Sequence, residues 1–421
     1  MEVLLLTYQW KKNGVNVGTN SVTYSDATLA NGNTITCTMT SNASCVTGNP
    51  ATSNTITMTV NANVAASVSI AASPSVSICS GTNVTFTATP TNGGASPAYQ
   101  WKKNGVNVGT NSVTYSDATL ANGNTITCTM TSNASCVTGS PATSNTLTMT
   151  VTAAPTITGI SPGTGAIGSS VVITGTAFTG ATSVKFNGVS ATTFTVNTAT
   201  QITATVPTGA TTGTVSVTTA CGTATSATSF TVIYPITVKA FIQGFYRGAS
   251  AMAAVVNPVS FPTLCDTVTI SLAQTTSPYT VLFSVKSTLS TTGTGTFNFP
   301  YNVIGNSYYL IIQHRNSLQT WSASAITMSG TAMSYDFTIA LSKAFGNKMI
   351  SNGDGTFSVY NGDTNQDGVI DTTDFTGVES STQTFLSGYQ VKDVTGDGLV
   401  ESADYSLMEN NAKAGVTVSK P

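Results

Sequence analysis

A stretch of this chain is written twice. Residues Tyr8–Val60 recur as Tyr99–Val151 at an offset of 91, and only Asn49 against Ser140 and Ile56 against Leu147 differ. Near-identical stretches fold alike, so whatever closes the core of one copy is needed by the other. The second copy is preceded by Ser67–Ala98, for which the first has no counterpart; MEVLLLT stands there instead. That heptapeptide has no basic n-region, too short an apolar run and no small-residue cleavage site, so it is not a signal peptide. The expectation is that the natural chain began further upstream, with a half-domain and any signal peptide lost. Residues 1–62 should then be poorly ordered, or rescued by a strand from MEVLLLT or from a neighbouring chain, which makes self-association through the truncated repeat an expected liability.

Within the complete copy, apolar and Thr residues alternate with period two. Val84, Phe86 and Ala88 alternate with Thr85 and Thr87; Ile126, Cys128 and Met130 with Thr127 and Thr129; Leu147, Met149 and Val151 with Thr148 and Thr150. Each set puts one face in a core and one in water. Asn104-Gly105 marks a tight turn after a strand beginning at Tyr99. The pattern resembles an immunoglobulin-type sandwich, with Trp101 at the core-tryptophan place, Cys128 at the late-strand cysteine place and Ala88 where the first cysteine usually stands. Of the possible bridges, 79–136 is favoured over 79–128, and the sequence does not choose between them.

Charged residues make up 7% of the 421, against roughly 25% in an average soluble protein. Thr, Ser, Asn, Gly and Ala take their place, and no helical periodicity is convincing before residue 340. A net charge of -2 leaves no basic footprint for nucleic acid, and no apolar run is long enough for a membrane span. The fold class is therefore mainly β: tandem immunoglobulin-like β-sandwiches, a further β-sandwich module, and a small helical calcium-loop module. The expected domains are 1–62, 63–153, 154–234, 235–345 and 346–421, arranged as separately folded units.

From Pro155 to Ile233 the pattern changes. PTITGISPGTGAIGSSVVITGTAF resembles the opening of IPT/TIG domains, in which Pro162 and Gly165 would shape a turn and Gly175 and Phe178 would end the second strand. With Lys185 the only lysine there, DNA binding is not expected and a spacer or adhesive module is. Residues 235–345, with GFYRG, PYTVLFSVK, NSYYLIIQHRNSLQTWS and SYDFTIA, resemble a module that precedes calcium repeats in secreted bacterial surface proteins. Tyr301, Tyr308, Tyr309 and Trp321 are candidates for a glycan-stacking face or for core packing. His314, the only histidine, reads as a structural strand-end residue, and Gly353-Asp354-Gly355 as part of a hairpin turn.

Of 16 Asp and Glu residues, 11 fall between Asp354 and Glu409. DTNQDGVIDTTD places Asp363, Asn365, Asp367, Val369 (by its carbonyl), Asp371 and Asp374 at positions 1, 3, 5, 7, 9 and 12, with Gly368 at the sharp turn. DVTGDGLVESAD repeats this with Asp393, Thr395, Asp397, Leu399, Glu401 and Asp404 around Gly398. Crowded carboxylates repel unless a cation offsets them, and this oxygen spacing suits two calcium ions. Asp rather than Glu at position 12, the short spacer and a following helix in each copy (Thr372 to about Ser380, Ser402 to about Ala412) resemble dockerin-type repeats, an EF-hand-like module. The resemblance implies a protein partner at positions 10 and 11, here Thr372, Thr373, Ser402 and Ala403. With few large apolar side chains, among them Phe375 and Phe385, the module is expected to fold only with calcium and without effect on the sandwiches.

No phosphate-cradling, zinc-hydrolase or nucleophile motif is present, so no enzyme is expected. The leading expectation is an extracellular or cell-surface modular protein, adhesin-like or scaffold-associated, with a β-sandwich stalk and a calcium-stabilised docking module. The alternatives are a carbohydrate-binding accessory protein with glycan on 235–345, or the non-catalytic C-terminal part of an exported polysaccharide-degrading enzyme.

Overall fold

The computed structural model describes residues 4–374, 376 and 386–421, which fall into two compact units, 1–153 and 154–421.

In the first unit the complete repeat is a two-sheet sandwich. One sheet runs Val106–Val108, Ala98–Lys103, Thr125–Thr131, Ala142–Thr143, and the facing one Thr114–Asp117, Val84–Thr91, Ser67–Ser73. The period-two pattern does what alternation requires: Val84, Phe86 and Ala88 from one sheet meet Trp101, Ile126, Cys128 and Met130 from the other, all buried. Asn104 and Gly105 turn the hairpin with φ of 51° and 79°, the left-handed pair such a tight turn needs. Trp101 lies opposite Cys128 in the register, and its indole N–H donates to the Ser112 carbonyl over 2.9 Å. Cys128 and Cys136 both carry free thiols, so neither the expected 79–136 bridge nor 79–128 forms. Cys128 is sealed in the core, and Cys136 sits exposed in a left-handed turn with φ of 55°.

The truncated repeat builds the first sheet alone. Val15–Val17, Leu6–Lys12, Thr34–Ser41, Ala51–Thr52 and Ile56–Thr57 pair, among the described residues, only with one another. Trp10 again faces Cys37. Of MEVLLLT, residues 1–3 lie outside the described residues; Leu6 and Thr7 prolong the first strand, pairing with Ser41 and Thr40.

In the second unit, Thr156–Ser161, Ser170–Thr176, Gln201–Thr205 and Phe194–Thr198 face a sheet built on Gly222–Lys239, Gly213–Thr219 and Ser183–Phe186. Gly175 is required where it stands, because a Cβ there would lie 1.9 Å from the Thr156 carbonyl oxygen and 2.5 Å from the ring of Phe178, itself fully buried. Strand Gly222–Lys239 runs through the 234/235 boundary. It pairs with Thr164–Ala166 as far as Ile233 and with Met333–Asp336 from Ile236 onward. Pro235, which has no N–H to give, falls in the gap where the strand changes neighbour on that edge.

The third sandwich sets this strand and Thr294–Pro300 against Val281–Ser290, Leu264–Ala273, Ser307–His314 and Thr320–Trp321, around Tyr234, Ile236, Ile270, Leu272 and Phe297. Phe357–Val359 and Ile350–Ser351 form the hairpin around Gly353-Asp354-Gly355, and Phe357–Val359 pairs in parallel with Phe241–Ile242. The 345/346 boundary therefore separates residues that share a sheet. Helix Ser402–Lys413 follows the second loop, while most of the helix expected after the first, Thr372 to about Ser380, lies outside the described residues, as do Phe375 and Phe385. Among the described residues no helix is long and apolar enough to cross a membrane.

Candidate metal centre

The two acidic loops share one hydrogen-bond pattern. At position 1, Asp363 accepts from the Gly368 N–H (3.2 Å) and Asp393 from the Gly398 N–H (3.0 Å). At position 12, Asp374 accepts from the N–H groups of Asn365 (3.1 Å) and Asp371 (3.1 Å), and Asp404 from those of Thr395 (2.8 Å) and Glu401 (2.8 Å). Position 5 accepts from position 7 in each, Asp367 from Val369 and Asp397 from Leu399, both over 2.9 Å. The first and last carboxylates are thus fixed by backbone donors that a 12-residue acidic loop with a glycine at position 6 can supply.

Asp363, Asp374, Asp393 and Asp404 are all at most 2% exposed. Burial, with the Asp374 carboxylate beside it, pushes the Asp363 carboxyl up to about 6. Burial likewise raises Asp393 and Asp404, whose backbone donors pull the other way. Asp363 Oδ1 is buried and has no hydrogen-bond partner. An orphaned buried carboxylate oxygen on Asp363, with the buried Asp374 carboxylate nearby, is a costly arrangement that a hard cation would relieve. Among the described residues no three His, Cys, Asp or Glu side chains converge as a metal-holding group.

The loops do not stand apart from the third sandwich. The end of strand Ser307–His314 and the residues after it hold both. The Asn316 side-chain amide donates to the carbonyls of Val391 and Asp393, each over 3.0 Å, and the Asn316 backbone carbonyl accepts from Gly362 N–H (2.7 Å). Asn361 donates to the Val394 carbonyl (2.6 Å), Arg247 to the Thr395 carbonyl (2.8 Å) and Gln366 to the Ser317 carbonyl (3.3 Å). Gly244 must be glycine, since a Cβ would lie 1.9 Å from the Val394 oxygen. None of these positioning residues carries a periodic signal; the one clue in the sequence was a run of polar residues, HRNS, at the end of a buried strand.

His314 has the structural role its position suggested. Its Nε2 lies 2.9 Å from Asp266 Oδ2 and its Nδ1 3.1 Å from Ser317 Oγ. This order of acid, imidazole and hydroxyl superficially matches a nucleophilic triad. Ser317 is 1% exposed, however, and its hydroxyl donates to Asn361 Oδ1. Burial lowers the His314 imidazole. Burial alone would raise Asp266, yet His314, the Tyr389 hydroxyl (2.6 Å) and the Arg315 guanidinium (2.9 Å) hold it well below the usual carboxylate range. Arg315 also stacks on Tyr389, 4.3 Å from its ring centre, so this cluster ties Tyr389 to the sandwich.

The aromatic candidates do not make a coplanar row. Tyr308 and Trp321 are each 5% exposed. Tyr309 meets Trp321 at 60° and Phe345 at 81°, the tilted and edge-on contacts of a packed cluster. Tyr301 instead borders a cavity of about 470 Å3 with Thr211, Thr212, Pro300, Asn302 and Ile304.

Residues 155–232 match the IPT/TIG domain. No curated protein matches the chain. Among solved structures, the chain is similar to SGBP-B of the Bacteroides ovatus mixed-linkage glucan utilization locus in complex with a mixed-linkage heptasaccharide. That match is 14% identical, covers 70% of this chain and 81% of that one, and has a TM-score of 0.20. SGBP-B from a complex xyloglucan utilization locus in Bacteroides uniformis is 13% identical over 55% and 85%, with a TM-score of 0.21. The three N-terminal domains of the bacteriophage RB49 highly immunogenic outer capsid protein are 14% identical over 63% and 95%, with a TM-score of 0.25. Superpositions this loose carry no functional argument to the present chain.

Proposed function

We propose that this is an extracellular, non-catalytic modular protein whose β-sandwiches present a C-terminal double loop that binds two calcium ions and docks a protein partner. The observation that carries the reading is the paired loops with their four buried terminal carboxylates, one oxygen of which, Asp363 Oδ1, lacks any partner. Asp363, Asn365, Asp367, the Val369 carbonyl, Asp371 and Asp374 would hold one ion. Asp393, Thr395, Asp397, the Leu399 carbonyl, Glu401 and Asp404 would hold the other. Calcium supplies the positive charge that lets these carboxylates stay ionised while buried. Thr372, Thr373, Ser402 and Ala403 are all exposed, as a partner surface beside the loops requires.

Calorimetric titration of the chelator-stripped full chain with calcium, and separately with magnesium, tests the reading. Two calcium sites are expected, one abolished by Asp363→Ala and the other by Asp393→Ala; calcium heat that survives both changes would remove it. A second reading, glycan binding by residues 235–345, is favoured by the cavity beside Tyr301. Glycan-array binding lost in Tyr301→Ala would support it.

A further inference from the structure

The outer face of the third sandwich carries a polar row that its core does not use. Thr269 lies in register between Lys286 on one neighbouring strand and Gln313 on the other, so the three side chains stand side by side on one face of the sheet. Two walls rise beside this row. Gln366 of the first acidic loop accepts from the Gln313 side-chain amide (2.7 Å) and donates to the carbonyls of Ser317 and Asp363 (3.3 and 2.6 Å). Tyr389 donates its hydroxyl to Asp266 (2.6 Å) and remains 48% exposed. Row and walls enclose a cleft of about 440 Å3, within the roughly 300–1,000 Å3 of small-ligand sites. Gln366 stands at a φ of 64°, where the second loop has Gly396 at 70°. A side chain in the left-handed region carries backbone strain, and here the amide contacts that build the wall offset it.

The charges of the cleft do not cancel. Arg315 is paired with the fully buried Asp266 over 2.9 Å, and burial lowers the His314 imidazole, which adds no charge at neutral pH. Lys286 is exposed and, among the described residues, has no acidic partner.

We propose that this cleft binds a carboxylate-bearing sugar, a hexuronate, with its carboxylate on Lys286, its hydroxyls on Thr269 and Gln313 and its ring against Tyr389. A phosphate would call for a second free cation, and a neutral hexose would leave Lys286 unused. A singly charged, hydroxyl-rich ring matches one cation, a hydroxyl, an amide and an exposed aromatic ring together. The site is separate from the cavity beside Tyr301, and none of its residues is among the proposed calcium ligands.

The test titrates the full chain with methyl glucuronide and, separately, methyl glucoside, followed by saturation-transfer NMR. The uronide should bind about fivefold more tightly, which is about 1 kcal/mol, the upper worth of one exposed ion pair. Lys286→Met, at an exposed position outside the core, should abolish that preference, and Tyr301→Ala should leave it unchanged. No transfer to the uronide, equal affinity for the two sugars, a preference that survives Lys286→Met or one lost in Tyr301→Ala overturns the proposal. So does equally tight binding of N-acetylglutamate, which would make the cleft a receptor for acidic peptide side chains.

Discussion

The side-chain amide of Asn361 donates to the backbone carbonyl of Val394 across 2.6 Å, joining the residue two before the first acidic loop to the second residue of the other. Asn361 is fully buried, and its own carbonyl accepts from Asn411 on the helix Ser402–Lys413 (2.7 Å). Through this one residue, by its side chain to the second loop and to Ser317 and by its backbone carbonyl to the helix, the loops, the helix and the third sandwich share a polar core, and such a network is stable only when every member is satisfied.

Asn361→Leu leaves the Val394 carbonyl buried and unpaired, a loss of about 1–3 kcal/mol. The thermal transition of residues 154–421 should fall, and calcium binding at the second loop should weaken. Gly244→Ala presses on the same carbonyl from the sandwich side and should act in the same direction. An unchanged transition in both variants would mean that the loops are not held by this contact.

The twin repeats allow a controlled test of burial. Trp101→Ala removes a fully buried indole and should cost about 3–5 kcal/mol. Trp10→Ala, in an identical sequence but half-exposed, should cost clearly less. Denaturant unfolding of the two variants decides the matter, and equal losses would show that the Trp10 face is covered in solution.

The acid limb of stability in the complete repeat should trace to Asp117. Its carboxylate lies 2.8 Å from Lys103 Nζ. Burial alone would raise it, but Lys103, Thr119 and Tyr115 outweigh that and hold it well below the usual carboxylate range. A folded pKa below the unfolded value of about 3.9 means stability is fully present above that pH and is lost as the pH falls from about 4. Asp117→Asn should flatten this loss in pH-dependent unfolding; an unchanged acid limb would contradict it.

The strands were legible because Val84-Thr85-Phe86-Thr87-Ala88 and its like alternate with period two, and Asn104-Gly105 permits essentially one kind of turn. Gly175 and Phe178 marked the IPT/TIG match, and the oxygen spacing from Asp363 to Asp374 located the loops. What the sequence hid was their attachment. Asn316, Asn361 and Gly244 lie outside the strands, where no period reports which side is inside, and their partners are mostly backbone carbonyls that any residue could offer. Pro235 misled for a related reason: it reads as a break, yet it occupies the one gap in a strand that passes between two sandwiches. The hydrogen bonds between the loops and the third sandwich lead us to propose that calcium stabilises that sandwich too, where the sequence led to the expectation of no effect.

Unfolding of the full chain across a calcium series tests the central claim most directly. A ligand at 100 times its dissociation constant stabilises the state that binds it by about 2.7 kcal/mol per site. Calcium should therefore raise the transition of residues 154–421, the third sandwich included, and leave that of residues 1–153 in place, with Asp363→Ala and Asp393→Ala together abolishing the rise. If calcium at millimolar concentration moves neither transition, or moves it equally in that double variant, the loops do not hold the ions and the account fails.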